Sequence, residues 1–269
     1  MNPTHEAYIR ERFDQVVVLS DPFPHFVLYE VLPPDLYNAM ERALPPRWRW
    51  KLAAFGETFR HRGMAEAWRQ LKQGEFIAQP HFGVRAPDVS AHFGLSSYRR
   101  HWKGQFGPML ELVDSLTAKV FEPHLISYQQ KIVAAGVPLG AKWSLGQAIF
   151  CQRGREWTID RHTHYLGQVI QSLIYFPLPG SSADQGTLLY RIKQSMQVPA
   201  REFYSTRIFG PEEVEAATLL PYQANCMVSF MNTPYAVHST STAAGPPRRY
   251  ILGSVQVQID ASDAMLSIG

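Results

Sequence analysis

Cysteine is scarce: the chain has two, Cys151 and Cys226, and each stands inside an apolar run rather than in a Cys-x-x-Cys pair. A disulfide-stapled fold and a thiolate metal cluster are therefore excluded; both residues read as small buried hydrophobes, and a reducing compartment is expected. The stretch from Met1 to Gln15 is polar and charged, without an apolar segment of signal-peptide type. No later apolar run approaches the length of a bilayer span, so the expected location is cytoplasmic and no membrane partner is expected. Blocks of like charge are missing too. The 26 basic and 23 acidic residues are dispersed for a net charge of +3, which removes the basic arm of a nucleic-acid binder. Repeats and low-complexity segments are also lacking.

What is present is enough apolar sequence, 45% of 269 residues, for one large core, and a single domain over 1–269 is expected. The region 1–132 reads as N-terminal strands, helices and covering loops. In Gln15 to Pro46, a strand, a turn and a second strand lead into a helix opened by Pro33 and Pro34, with Leu36, Met40 and Leu44 along one face. A second helix is predicted over Phe106–Phe121, where Met109, Leu112, Val113, Leu116 and Val120 keep helical spacing. The stretch Trp48–His101, rich in Arg, His, Gly and aromatic residues without a clean period, reads as loops covering a pocket.

From 133 to 262 the pattern changes to short apolar runs punctuated by Gly, Pro, Ser and Asn, the spacing of an all-β sandwich or barrel. Strands are predicted near Ser144–Phe150, Thr158–His164, Gln168–Phe176, Gly186–Ile192, Cys226–Met231, Ala236–Thr240 and Arg249–Ile259. The fold class that follows is α+β, mainly β, with N-terminal helices buttressing one face of the β core.

One segment stands out chemically. His162 and His164 are two positions apart, so in a strand both imidazoles project to one face and reach one metal ion. His238, far downstream, joins them only if the fold sets distant strands side by side, as a sandwich or barrel does. A lone His-x-His is a short motif that arises often without metal, and it needs this context.

Several blocks in order along the chain carry a family resemblance. Asp21-Pro-Phe-Pro-His-Phe26 with Leu32-Pro-Pro-Asp-Leu36 resembles the entry segment of the iron(II)- and 2-oxoglutarate-dependent dioxygenases, in their prolyl-hydroxylase-like branch. Leu173-Ile-Tyr-Phe176, Gly186-Thr-Leu-Leu-Tyr190, Asn225-Cys-Met-Val-Ser-Phe230 and the His238-to-Arg249 spacing are similar to that family's later landmarks. The resemblance implies a double-stranded β-helix core of jelly-roll, cupin-like type. It also implies an Fe(II) centre with 2-oxoglutarate and O2 as co-substrates, and metal-binding, catalytic roles for His162 and His238.

The family's usual His-x-Asp or His-x-Glu is His-x-His here. A neutral imidazole in place of a carboxylate raises the charge of an iron(II) site from +1 to about +2 and makes zinc, copper or nickel occupancy more plausible. Three readings stay open: a 2-oxoglutarate-dependent oxygenase with His164 as third ligand, a three-histidine dioxygenase that does without 2-oxoglutarate, and an inactive binding module. Asp160 shares the strand face of the histidines, either as a source of the missing negative charge or as a partner of a ligand imidazole.

Further on, Arg249, Ile251, Gly253, Val255, Val257 and Ile259 share one face of a strand. Arg249 thereby joins an apolar face, where a guanidinium needs a partner. By the resemblance that partner is the far carboxylate of 2-oxoglutarate; the alternatives are a buried acid on Arg249 or solvation of both Arg248 and Arg249. Tyr175 and Tyr190 read first as core aromatics and second as hydroxyl donors. A small organic substrate is expected, because no polymer-binding signature is present.

Overall fold

Asn2 and Pro3 start the first helix, the Asn2 side chain accepting a hydrogen bond from the Thr4 amide and Pro3 standing where its missing donor is harmless. The computed structural model describes residues 2–44, 59, 63–73, 96–134, 143–145, 149–153, 160–164, 168–193, 207–233, 235–241, 245–246 and 248–257. Helix α1 spans Pro3–Asp14, within the segment read from sequence only as polar and charged. Ile9 and Phe13 are its buried face. After strand β1 (His25–Tyr29) comes α2 (Pro34–Arg42), opened by Pro33 and Pro34 as expected. Two further helices follow, α3 (Met64–Gln73) and α4 (Ser96–Ala134). The helix expected over Phe106–Phe121 is thus the middle of a much longer one, and α3 lies inside the stretch expected to be loop; most of that stretch is outside the described residues. No helix among the described residues is long and apolar enough to cross a membrane.

The remaining strands are β2 (Trp143–Leu145), β3 (Ile149–Arg153), β4 (Gln168–Tyr175), β5 (Thr187–Ile192), β6 (Val214–Leu220), β7 (Cys226–Met231), β8 (His238–Thr240) and β9 (Arg248–Val257). They form two antiparallel sheets. The major sheet runs β1-β7-β4-β9-β2, with β3 also pairing β9, and the minor sheet runs β6-β5-β8. The single strand expected near Ser144–Phe150 is two short ones, β2 and β3, which pair successive parts of β9.

Both faces of the major sheet are covered. On one, Phe26, Ile170, Ile174, Met227, Met231, Ile251 and Val255 pack with Ile9, Phe13, Met40, Phe106, Val113 and Phe121 of the helices. Ring contacts fix this layer: Phe26 stacks on Phe121 at 5.4 Å and Tyr37 on Phe176 at 4.9 Å, pairs worth about 0.5–1.5 kcal/mol each beyond area burial. On the other face, Leu173, Tyr175, Val228, Phe230 and Tyr250 pack with Leu189, Leu220, Tyr222 and Ala236 in and beside the minor sheet. The layers are therefore helices, major sheet, minor sheet. Cys226 is fully buried in the inter-sheet layer, as a small hydrophobe should be.

One polar group interrupts the helix-side layer. Asp114 of α4 is buried against Gly253 of β9, where any Cβ would collide with the carboxylate. Burial, then the nearby Glu111, pushes its pKa up to about 8. Leu110, Val113, Ser172 and Ile251 complete a small cavity around it.

Candidate metal centre

Residues 160–164 are extended without forming a strand, which corrects the expectation over Thr158–His164; residues 158–159 lie outside the described residues. Only His162 makes ladder contacts, bridging Ile208 on one side and His238 on the other. His162 and His238 exchange both backbone hydrogen bonds at 3.0 Å. Directly opposed residues on adjacent extended segments present their side chains to the same face, and His164, two positions on, returns to that face.

The outcome is a cluster of three imidazoles. Ring centroids lie 4.4 Å apart for His162 and His238, 4.9 Å for His162 and His164, and 5.0 Å for His164 and His238. One candidate ligand atom from each lies within 4.8 Å of the other two, and Asp160 is not in the set. Nε2 of His164 and Nε2 of His238 are 3.1 Å apart. Two ligand nitrogens on one ion with bonds of about 2.0–2.1 Å would be about 2.9 Å apart at a right angle and about 3.4 Å at the tetrahedral angle.

Backbone carbonyls set the tautomers. His162 Nδ1 donates to the Asp160 carbonyl at 2.7 Å and His238 Nδ1 to the Ala236 carbonyl at 3.0 Å, so in both rings Nε2 is the nitrogen that carries the lone pair a metal would take. Asp160 thus orients a ring through its main chain, while its side chain is exposed. Burial holds all three imidazoles neutral: it lowers the His162 pKa to about 4, and burial with the neighbouring rings drives those of His164 and His238 well below the ordinary value. His162 and His238 are buried and His164 half-buried; its low pKa follows from ring nitrogens turned inward onto the other imidazoles. Phe230 of β7 covers the cluster, its ring 4.6 Å from that of His238. Three neutral, convergent, preoriented imidazoles fit a divalent transition-metal ion.

Beside this cluster lies a buried cation. Arg248 is 6% exposed, and its Nη2 lies 3.4 Å from both Tyr175 Oη and Thr187 Oγ1. Its guanidinium carbon sits 5.5–5.8 Å from the ring centroids of Tyr175, Tyr222 and Tyr250. Nε and Nη1 have no hydrogen-bond partner among the described residues, and no carboxylate among them pairs with Arg248. Thr187 pairs with Thr240 and Leu189 with His238, so the guanidinium contacts the ladder two residues from a cluster imidazole, roughly 7 Å along the strand.

Arg249, expected from the sequence to hold a co-substrate carboxylate, faces the other way. It does share a face with Ile251 and Val255, but that face is covered by the helices. There Arg249 donates to the Phe176 carbonyl at 3.0 Å and pairs with Glu41 of α2 at 3.2 Å. Arg248, one residue earlier, falls with Tyr250 on the opposite, inter-sheet face; the sequence pattern does not tell which of two covered faces holds the site. Tyr175 is both core aromatic and hydroxyl partner, its Oη 2.9 Å from Thr187 Oγ1. Tyr190 bonds Ser239 at 2.9 Å instead.

No family model matches the sequence, and no curated protein does. Among solved structures the chain is similar to a prolyl-4-hydroxylase from Pseudomonas putida, at 13% identity over 94% of each chain with a TM-score of 0.37. It is also similar to the epimerase SnoN in complex with Fe3+, alpha ketoglutarate and nogalamycin RO, at 11% identity over 95% of this chain and 84% of that one, TM-score 0.40. A third is SnoK, a non-heme alpha ketoglutarate dependent carbocyclase from nogalamycin biosynthesis, at 11% identity over 100% and 91% of the two chains, TM-score 0.36. Similarity at this depth leaves fold and activity to be argued from the chain's own residues.

Proposed function

We propose that the chain is a non-haem iron oxygenase of double-stranded β-helix architecture that uses 2-oxoglutarate and O2 to oxidise a small organic substrate. The observation that carries this reading is the pairing of a three-imidazole cluster with a buried guanidinium that has two unmatched nitrogens in one inter-sheet space. A buried cation without a counter-charge is costly, and a carboxylate matches the guanidinium fork. A dication at the imidazoles together with Arg248 calls for an anionic occupant, and a short dicarboxylate whose other end chelates a metal supplies both charges.

In this reading His162, His164 and His238 would hold iron. Bound there, iron(II) supplies oxygen activation, coupled to the decarboxylation of 2-oxoglutarate to succinate and carbon dioxide. The protein's own contribution is positioning. The carbonyls of Asp160 and Ala236 fix two ligand rings, Arg248 with Tyr175 and Thr187 orients the far carboxylate, and Phe230 shields one side of the cluster from water. Hydroxylation, desaturation and cyclisation would all use this arrangement.

Anaerobic titration with iron(II), with and without 2-oxoglutarate, tests the proposal. A visible charge-transfer band that grows only when 2-oxoglutarate is added is the expected result. Iron binding with no response to 2-oxoglutarate would favour a three-histidine dioxygenase that does without it or an inactive binding module, and His164→Ala is expected to abolish tight iron binding. Retained affinity in that variant would mean that another group completes the site.

A further inference from the structure

Several buried polar atoms that lack a hydrogen-bond partner among the described residues belong to the major sheet and its continuation. They include Gln171 Oε1, both carboxamide atoms of Asn232, and Nε and Nη1 of Arg248. Strand alternation assigns all three side chains to the inter-sheet face of the major sheet: Gln171 alternates in step with Leu173 and Tyr175, Arg248 with Tyr250, and Asn232, the first residue after β7, with Val228 and Phe230. Arg248 has been accounted for as an anion partner and Gln171 is only half-buried. Asn232 is left, 2% exposed.

Its place in the fold is specific. Asn232 follows the last residue of β7 and continues the ladder, its amide donating to the Val169 carbonyl at 2.7 Å. Val169 lies just downstream of His164, and the chain beyond Asn232 crosses to the minor sheet to reach His238. Asn232 therefore stands at the end of the major sheet from which the chain leads on to His238, one step along the same face from Phe230, whose ring touches that of His238.

A carboxamide both donates and accepts, and leaving both ends unmatched in a buried site is costly. We propose that Asn232 is a specificity-determining residue that receives a hydroxyl or carboxamide group of the organic substrate beside the three-imidazole centre. This rests on the oxygenase reading above. A hydroxyl or an amide gives and takes a hydrogen bond as Asn232 does, whereas a ketone or carboxylate satisfies only its donor end.

The test uses Mn(II) in place of iron, 2-oxoglutarate, and acetamide as the probe, read by paramagnetic relaxation of the acetamide methyl protons. Acetamide relaxation in the wild-type protein is expected to fall roughly tenfold in Asn232→Leu, the effect of one lost hydrogen-bonding partner at a buried site. Mn(II) affinity should be unchanged, and the melting temperature of the metal-free variant unchanged or raised, because an unmatched polar group has been replaced by an apolar one. Equal acetamide relaxation in the two proteins would overturn the assignment. So would a clear drop in melting temperature, which would show that Asn232 is matched within the protein. Mn(II) binding without any acetamide effect in the wild type defeats the Asn232 assignment alone; failure of the wild type to bind Mn(II) defeats the metal reading as well. Should Asn232→Leu fail to fold, Asn232→Ser is read by the same relaxation measurement.

Discussion

Arg248 and Arg249 are consecutive in β9, yet their guanidinium groups lie on opposite sides of the major sheet. Arg248 is enclosed by Tyr175, Tyr222 and Tyr250 between the sheets, while Arg249 is tied to Glu41 of α2 under the helices. Adjacent residues of a strand point to opposite faces, so one arginine serves the candidate site and the other secures the helical layer.

The two substitutions should separate accordingly. Arg248→Ala is expected to raise the 2-oxoglutarate requirement by roughly a hundredfold, the loss of ~3 kcal/mol when one partner of a buried charge pair is truncated. Arg249→Ala should leave that requirement near wild type and cost about 1 kcal/mol of stability, because Glu41 is partly exposed and the ion pair is screened. Titration of the charge-transfer band against 2-oxoglutarate, with urea unfolding, distinguishes the two. Equal effects on co-substrate binding would remove the assignment to Arg248.

Neutral imidazoles make metal binding silent in protons. His162 stays uncharged down to about pH 4, and burial with the neighbouring rings holds the other two well below the ordinary value, so no ring proton is displaced when metal binds near pH 7. Calorimetric titration with Mn(II) in two buffers of different ionisation enthalpy should give the same heat. The metal-free fold carries the matching pH dependence. Histidines with a folded pKa below their unfolded value bind fewer protons when folded, so their contribution is present above about pH 6.5 and is lost as the pH falls toward 4. Buffer-dependent heats near pH 7 would show that at least one ring is protonated before the metal arrives.

Asp114 pulls in the opposite direction. Its folded pKa is raised from 3.8 to about 8, so the folded state holds the proton longer than the unfolded chain, and stability falls as the pH rises through that interval. Asp114→Asn keeps the shape and removes the titration. It should therefore be more stable than wild type at pH 8 by on the order of 1–3 kcal/mol, with the advantage vanishing near pH 4. Chemical denaturation at the two pH values measures this; an advantage independent of pH would mean that Asp114 is ionised or paired in the folded protein. Gly253→Ala, which forces a Cβ onto the same carboxylate, should cost about 1–3 kcal/mol as an overpacked site does, and less in an Asp114→Ala background.

Much of the β core was legible because strands buried on both faces read as short apolar runs bounded by turn residues. Cys226–Met231 was read with the bounds of β7, and Gln168–Phe176 and Gly186–Ile192 differ from β4 and β5 by a terminal residue. Strand β6, Val214–Leu220, went unread. It lies at the edge of the minor sheet, its interior positions Glu215 to Leu219 are not buried, and an Ala- and Glu-containing run carries little strand signal. Helix α1 was missed for a related reason: only Ile9 and Phe13 of its twelve residues are buried, too few for a helical stripe to show. Of the strand expected over Thr158–His164, the described residues 160–164 form only isolated bridges at His162, with His238 on one side and Ile208 on the other, and not a continuous ladder.

The order of apolar and polar residues by itself determined that His162 and His164 emerge together, that Arg248 and Arg249 diverge, and where most strands lie, because side-chain direction along an extended chain depends only on local geometry. That His238 meets the other two rings, that the face bearing Arg248 and Asn232 looks into the inter-sheet space, and that Arg249 ends on Glu41 were decided only by the tertiary structure. Both faces of the major sheet are buried, so hydrophobicity alone assigns the same character to each, and only the packing of helices on one side and the minor sheet on the other tells them apart.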